Sequence, residues 1–156
     1  MAIEKEVPED FYRGLSAPDQ FTAEGYLTAA AFKFDAYCAT RGDNYCELSI
    51  NWNDDDGALE TLLTQTKPFS DTKQFRFGYA KLPLSTVRML FKMFMDDGKF
   101  SYERRPIAAD PSKDIAENPY HGNLLIDNKI ENSIRKNIQH SLATIGTQAA
   151  CVNKDG

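Results

Sequence analysis

Tyr45-Cys46-Glu47-Leu48-Ser49-Ile50-Asn51-Trp52 is the stretch that decides the fold. Cys46, Leu48, Ile50 and Trp52 alternate with Tyr45, Glu47, Ser49 and Asn51. A period of two with one apolar set is the mark of a half-buried strand. Asn53-Asp54-Asp55-Asp56-Gly57 follows, which ends the strand and predicts a helix start, because an acidic side chain can accept from the free amides of the first turn and suits the positive end of the helix dipole. Leu59, Leu62 and Leu63 supply that helix with its apolar side.

Working outward, Phe75 to Leu82 reads as a second strand, with Phe75, Phe77 and Tyr79 as one set. Pro83 suits the first turn of a helix, and Leu84, Val87, Leu90, Phe91 and Phe94 follow at helical spacing. Asp96-Asp97-Gly98 stops this helix. Phe100 to Ile107 predicts a strand, and a polar loop over 108–119 carries Asp110-Pro111 and Asn118-Pro119 as turn signals. Leu124-Leu125-Ile126 reads as a short buried strand. Ile130, Ile134, Ile138, Leu142 and Ile145 define a last helix, with Gly146 as its stop. On the N-terminal side, Phe11 to Leu15 reads as a strand, and Leu27 to Phe34 suits either helix or strand, since periodicity does not decide short apolar runs.

The expectation is one α+β domain over residues 11–146, a mixed sheet of about five strands packed by two or three helices, with residues 1–10 and 147–156 loose. The chain has 156 residues, enough for one sizeable core and too few for two. A net charge of -5 argues against a general nucleic-acid binder, which needs a basic face. Three cysteines (Cys38, Cys46 and Cys151) without a CxxC pair form neither a disulfide framework nor a zinc motif. The charged start Met1-Ala2-Ile3-Glu4-Lys5-Glu6 is not a signal peptide, and no apolar run reaches the roughly 18 residues of a spanning helix. These features predict a cytoplasmic protein with no membrane association, no metal and no cofactor.

Candidate chemistry is sparse. Reading Asn51 to Gly57 as an EF-hand loop would put Trp52 at position one and Leu63 at position twelve, and neither ligates calcium. His121 lies in Asn118-Pro119-Tyr120-His121-Gly122, a turn that leads into a buried strand. Histidine titrates near neutrality and suits acid–base work, but it needs a nucleophile, a carboxylate or a metal beside it. The alternative is a histidine bonded to backbone in a Pro-Gly turn. Ser101-Tyr102-Glu103-Arg104-Arg105-Pro106 sets an acid beside two arginines whose side chains diverge on a strand, as an anion grip or as an exposed ion pair.

Three resemblances are carried by short motifs. Arg135-Lys136-Asn137-Ile138-Gln139-His140 resembles the R-x4-H motif of HEPN ribonucleases, which would imply action on a phosphodiester. That family is all-helical, Lys136 replaces its usual polar residue, and five residues turn about 140° around a helix. A solvated helix face is the alternative. Phe11-Tyr12-Arg13-Gly14-Leu15 resembles the first strand of ADP-ribosyltransferases, which would imply that Arg13 grips a dinucleotide. That family's Ser-Thr-Ser-like strand and late Glu-x-Glu motif have no full counterpart here, and an ordinary sheet arginine is the alternative. Finally, Leu48-Ser49-Ile50-Asn51-Trp52, Gly78-Tyr79-Ala80-Lys81-Leu82 and Asn118-Pro119-Tyr120-His121-Gly122-Asn123-Leu124 resemble, in that order, anchors of a group of uncharacterised bacterial proteins. Tyr12-Arg13-Gly14 and Ala31-Phe32 also fit. The likeness spans roughly residues 11–126, implies a bacterial or phage source, transfers no activity, and draws attention to His121 and Arg13.

Two functions remain. One is a non-enzymatic binding or accessory module with a protein partner docked on the Leu84–Met95 helix, where Met89, Met93 and Met95 widen the apolar surface. The other is a small transferase or hydrolase on a nucleotide-like substrate, with His121 as acid–base group, Arg13 as phosphate grip, and Tyr12 or Glu103 assisting. The second requires Tyr12, Arg13 and His121 to converge.

Overall fold

The alternating stretch forms a strand, Tyr45–Trp52, near the middle of a six-stranded sheet. Its apolar set is buried as the pattern requires: Cys46, Leu48, Ile50 and Trp52 are each at most 2% exposed. The structure, a computed structural model, describes residues 10–34, 45–52, 56–66, 72–94, 100–113, 115–127 and 129–155. The expected loose start (1–9), the capping acids at 53–55, Met95 and the Asp96-Asp97-Gly98 stop lie outside the described residues.

In chain order the strands are β1 (Asp10–Gly14), β2 (Tyr45–Trp52), β3 (Gly78–Pro83), β4 (Phe100–Arg104), β5 (His121–Asp127) and β6 (Ala150–Val152). The helices are α1 (Asp56–Thr64), α2 (Leu84–Phe94) and α3 (Asn132–Thr147). The sheet order is β4-β5-β2-β1-β3-β6, and every neighbouring pair is antiparallel. The architecture is therefore the expected α+β domain, with a six-stranded antiparallel sheet where a mixed sheet of about five strands was expected. The ambiguous Leu27–Phe34 stretch is neither α-helix nor strand: it holds a short 3-10 turn, Ala29–Phe32, that buries Ala31 and Phe32.

The sixth strand comes from the segment expected to fray. Residues 150–152 pair with Gly78–Ala80, and the Asn153 amide donates to the Phe77 carbonyl at 2.8 Å. Gly78 makes this approach possible. Its φ is +106°, and a Cβ there would lie 1.9 Å from the Cys151 carbonyl oxygen.

Each face of the sheet buries a different cluster. On one face Phe11, Leu48, Trp52, Leu82 and Leu124 join the buried sides of α2 and α3. The rings of Phe11 and Trp52 meet edge-on at 5.8 Å, and Tyr102 packs 5.9 Å from Trp52. On the other face a smaller cluster forms from Tyr12 of β1 and Ala58 and Leu62 of α1. Among the described residues, no helix is long and apolar enough to cross a membrane.

Candidate functional site

The smaller face carries a polar row across three adjacent strands. Tyr12 of β1 stands opposite Asn51 of β2, and Asn51 stands opposite His121 of β5. Directly opposed residues on one face have Cβ atoms about 4.5–5.5 Å apart. Register and alternation thus bring together side chains separated by more than a hundred residues of chain. The β1–β2 ladder ends at Tyr12 and Asn51, so the strands part beyond that pair. A cavity of about 150 Å³ opens at the parting, lined by Tyr12, Arg13, Ser49, Asn51 and His121 among others. Leu62 of α1, Gln65 and Gln74 of the α1–β3 connection, and Asn118 of the β4–β5 loop line the rest.

The loop is fastened to the sheet through two buried asparagines. The Asn118 side-chain amide donates to Asn51 Oδ1 at 2.8 Å, and Asn51 Nδ2 donates to the Ala58 carbonyl at 3.3 Å. Asn118 Oδ1 accepts from the Tyr120 amide at 3.1 Å, and the Asn118 and Ile107 backbones exchange two hydrogen bonds of 2.9 Å. Both asparagines are only 3% exposed, so these bonds satisfy groups that would be costly to strand. Their pairing fixes the turn from which β5 and His121 begin.

His121 sits at the end of that turn, half-buried. Its Nδ1 lies 2.8 Å from the Arg105 carbonyl oxygen. A carbonyl only accepts, so Nδ1 carries the proton and Nε2 presents a lone pair. Burial pushes the imidazole pKa below the ordinary histidine value, against the opposing pull of the Arg105 carbonyl and the Glu47 and Glu103 charges. The neutral ring is therefore favoured near neutral pH, with Nε2 as a hydrogen-bond acceptor.

Tyr12, Arg13 and His121 all line this one cavity, but the Arg13 guanidinium is engaged by the sheet. Its Nε donates to the Ala31 carbonyl and its Nη1 to the Ser49 carbonyl, both at 2.8 Å. The Ser49 bond falls where the β1–β2 ladder has stopped, so the arginine supplies a donor in place of the missing strand neighbour. Glu103 does not line the cavity. It accepts from Asn123 Nδ2 at 3.1 Å and lies 3.9 Å from the Arg105 guanidinium. Among the residues lining the site, Asn51 and Asn118 lie within the quoted anchors without being candidates there, and Gln65 lies in no motif. Asn51 could have been found from the period of β2, which puts it on the polar side, but its partner Asn118 is 67 residues away.

Other candidates lie apart. Arg135 on α3 donates to Asn132 Oδ1 at 2.6 Å, while His140 is exposed farther along the helix. A wider, more open hollow of about 610 Å³ adjoins His140, and another of about 530 Å³ adjoins Cys151. Neither gathers the polar row. On α2, Leu84, Val87, Leu90 and Phe91 are buried, while Met89 and Met93 are 66% and 76% exposed. Among the described residues no group of three or more His, Cys, Asp or Glu side chains could hold a metal ion. No protein-family model matches this chain, and no curated protein or solved structure does either.

Proposed function

We propose that this domain is a binding module whose recognition site is the polar cavity around His121. The observation that carries this reading is the Tyr12–Asn51–His121 row, whose three residues all line one cavity. A concave site with a few convergent polar groups is the usual form of a small-ligand pocket. Two of the four residues an enzyme on a nucleotide-like substrate would use are employed otherwise: Arg13 holds two backbone carbonyls, and Glu103 holds Asn123. That favours recognition over acid–base work with a phosphate grip.

An NMR screen of the intact chain with single-ring fragments tests the reading. Hits should perturb Tyr12, Asn51 and His121 together. Hits that cluster in the hollow beside Cys151 instead would sink it.

A protein partner docked on α2 is the second reading. It is favoured by Met89 and Met93, which lie four residues apart and so share one outer face of the helix. Methionine-rich surfaces adapt to varied partners. Substituting both residues with lysine should abolish any complex formed through that face, while the cavity keeps its fragments.

A further inference from the structure

We infer that the outer face of α2 docks an acidic amphipathic helix of a partner protein. This rests on the second reading above, in which a protein covers α2, and adds the chemistry of that partner; it does not involve the His121 cavity. Among the described residues three large apolar side chains are exposed, and two of them, Met89 and Met93, stand one turn apart on α2. Exposed Ser85 continues their row, and exposed Arg88 and Lys92 run beside it with the same four-residue spacing. The face is thus an apolar row edged by two cations. Its complement is a helix with an apolar row edged by acids.

Charge selects the partner. α2 contains no Asp or Glu, although the chain carries a net charge of -5. Among the described residues neither cation of the face has an acidic partner: Arg88 donates to the Tyr102 hydroxyl at 2.7 Å and lies over its ring, and Lys92 makes no ion pair. Carboxylates of a partner would meet two cations that nothing else neutralises. A second copy docked about a two-fold axis would instead set this face against the same two positive charges. An oligonucleotide would meet a chain of net negative charge. An anionic bilayer would meet the same charge, and two cations fall short of the about four to eight that hold a polybasic segment there. Methionine adapts to apolar side chains of varied shape, and Met and Arg are both enriched where proteins meet.

The test adds designed peptides to the intact chain, labelled at the methyl groups of its four methionines, and follows them by NMR. One peptide is a helix with a row of leucines and glutamates on both sides of it; a second carries lysine at every glutamate position. Met89→Leu and Met93→Leu assign the two methyl signals of the face. The glutamate peptide should shift both signals saturably. The lysine peptide should bind at least about tenfold more weakly, because two attractive pairs become two repulsive ones. Lys92→Glu, at a side chain with no bonded partner among the described residues, should narrow that preference at least about threefold. Arg88→Glu combined with Lys92→Glu should reverse it. Equal binding of the two peptides, or an unchanged preference in Lys92→Glu, would overturn the acidic partner and leave α2 as a docking face. Methyl shifts caused by phosphatidylglycerol vesicles, an oligonucleotide or higher protein concentration, and not by the glutamate peptide, would overturn it in favour of that other occupant. No shift of either methyl with any probe would remove both the inference and the α2 reading, while the His121 cavity is tested by its own fragments.

Discussion

Asn118 and Asn51 meet side chain to side chain at 2.8 Å beneath the β4–β5 loop, and both are buried. This bond holds the loop on the sheet and sets where β5 begins. Asn118→Ala would leave Asn51 Oδ1 and the Tyr120 amide without their partner. The expected loss is about 1–3 kcal/mol of unfolding free energy, read from urea denaturation. A loss below about 0.5 kcal/mol would mean that the loop is held by other contacts.

Gly122 is the second fixed point of the turn. A Cβ at this position would lie 1.8 Å from Trp52 Nε1 and 2.5 Å from the Glu103 carbonyl oxygen, to which the indole donates at 3.2 Å. Gly122→Ala should therefore destabilise by about 3 kcal/mol or more. Trp52→Phe removes the indole nitrogen. The double variant should be less destabilised than the sum of the singles, with a coupling of at least about 0.5 kcal/mol. Strict additivity would show that the indole is not what Gly122 accommodates.

Arg13 distinguishes a sheet fastener from a phosphate grip. Arg13→Lys keeps the charge but loses the fork that reaches the Ala31 and Ser49 carbonyls together. A lower melting temperature is expected, equivalent to about 1.5–3 kcal/mol. Full stability in Arg13→Lys would return Arg13 to the candidates for anion binding.

The pH dependence of stability follows from His121. Its pKa is lower in the folded chain than its unfolded value of 6.5, with burial as the main cause. As pH falls below 6.5 the unfolded chain takes up a proton that the folded chain resists, so unfolding gains ground. The contribution of His121 is complete above 6.5 and is lost as pH drops from 6.5 toward the folded value. His121→Gln, compared with wild type by denaturation between pH 7.5 and 5.5, should flatten the curve in that window. An equal slope in both proteins would show that folding does not lower the His121 pKa.

The outer face of α2 should be energetically quiet in the isolated chain. Met89→Ser with Met93→Ser should change stability by no more than about 0.5 kcal/mol, because both side chains are already in solvent. Leu90→Ala on the buried side should cost about 2–5 kcal/mol. A large loss from the methionine pair would mean that the isolated chain already covers that face.

Much of the fold is legible in local pattern. Period two over Cys46 to Trp52 marked the central strand. The spacing of Leu84, Val87, Leu90 and Phe91 marked α2, and that of Ile138 and Leu142 marked α3. Pairing was not legible, because a strand's own pattern does not name its neighbour or its direction. β6 escaped for that reason: Ala150-Cys151-Val152 is short and lies in a polar tail, and it becomes a strand only through Gly78. The same limit applied to the site. His121 stands out as a histidine in a turn, and Tyr12 through the motif of the first strand. Their shared row needed the β1–β2 and β2–β5 registers, and the employment of Arg13 needed the ladder to end where it does. The anchors at Leu48–Trp52, Gly78–Leu82 and Asn118–Leu124 also have a packing rationale: Trp52 fits over Gly122, Gly78 admits β6, and Asn118 bonds Asn51.

The most direct measurement is the tautomer of His121, read from long-range proton–nitrogen correlations of the imidazole at pH 7.5. The expected result is a neutral ring protonated at Nδ1, with an Nε2 resonance that moves when a single-ring fragment that binds the cavity is added. A ring protonated at Nε2, or an Nε2 resonance indifferent to every added fragment, would contradict the assignment of this cavity as a site of recognition.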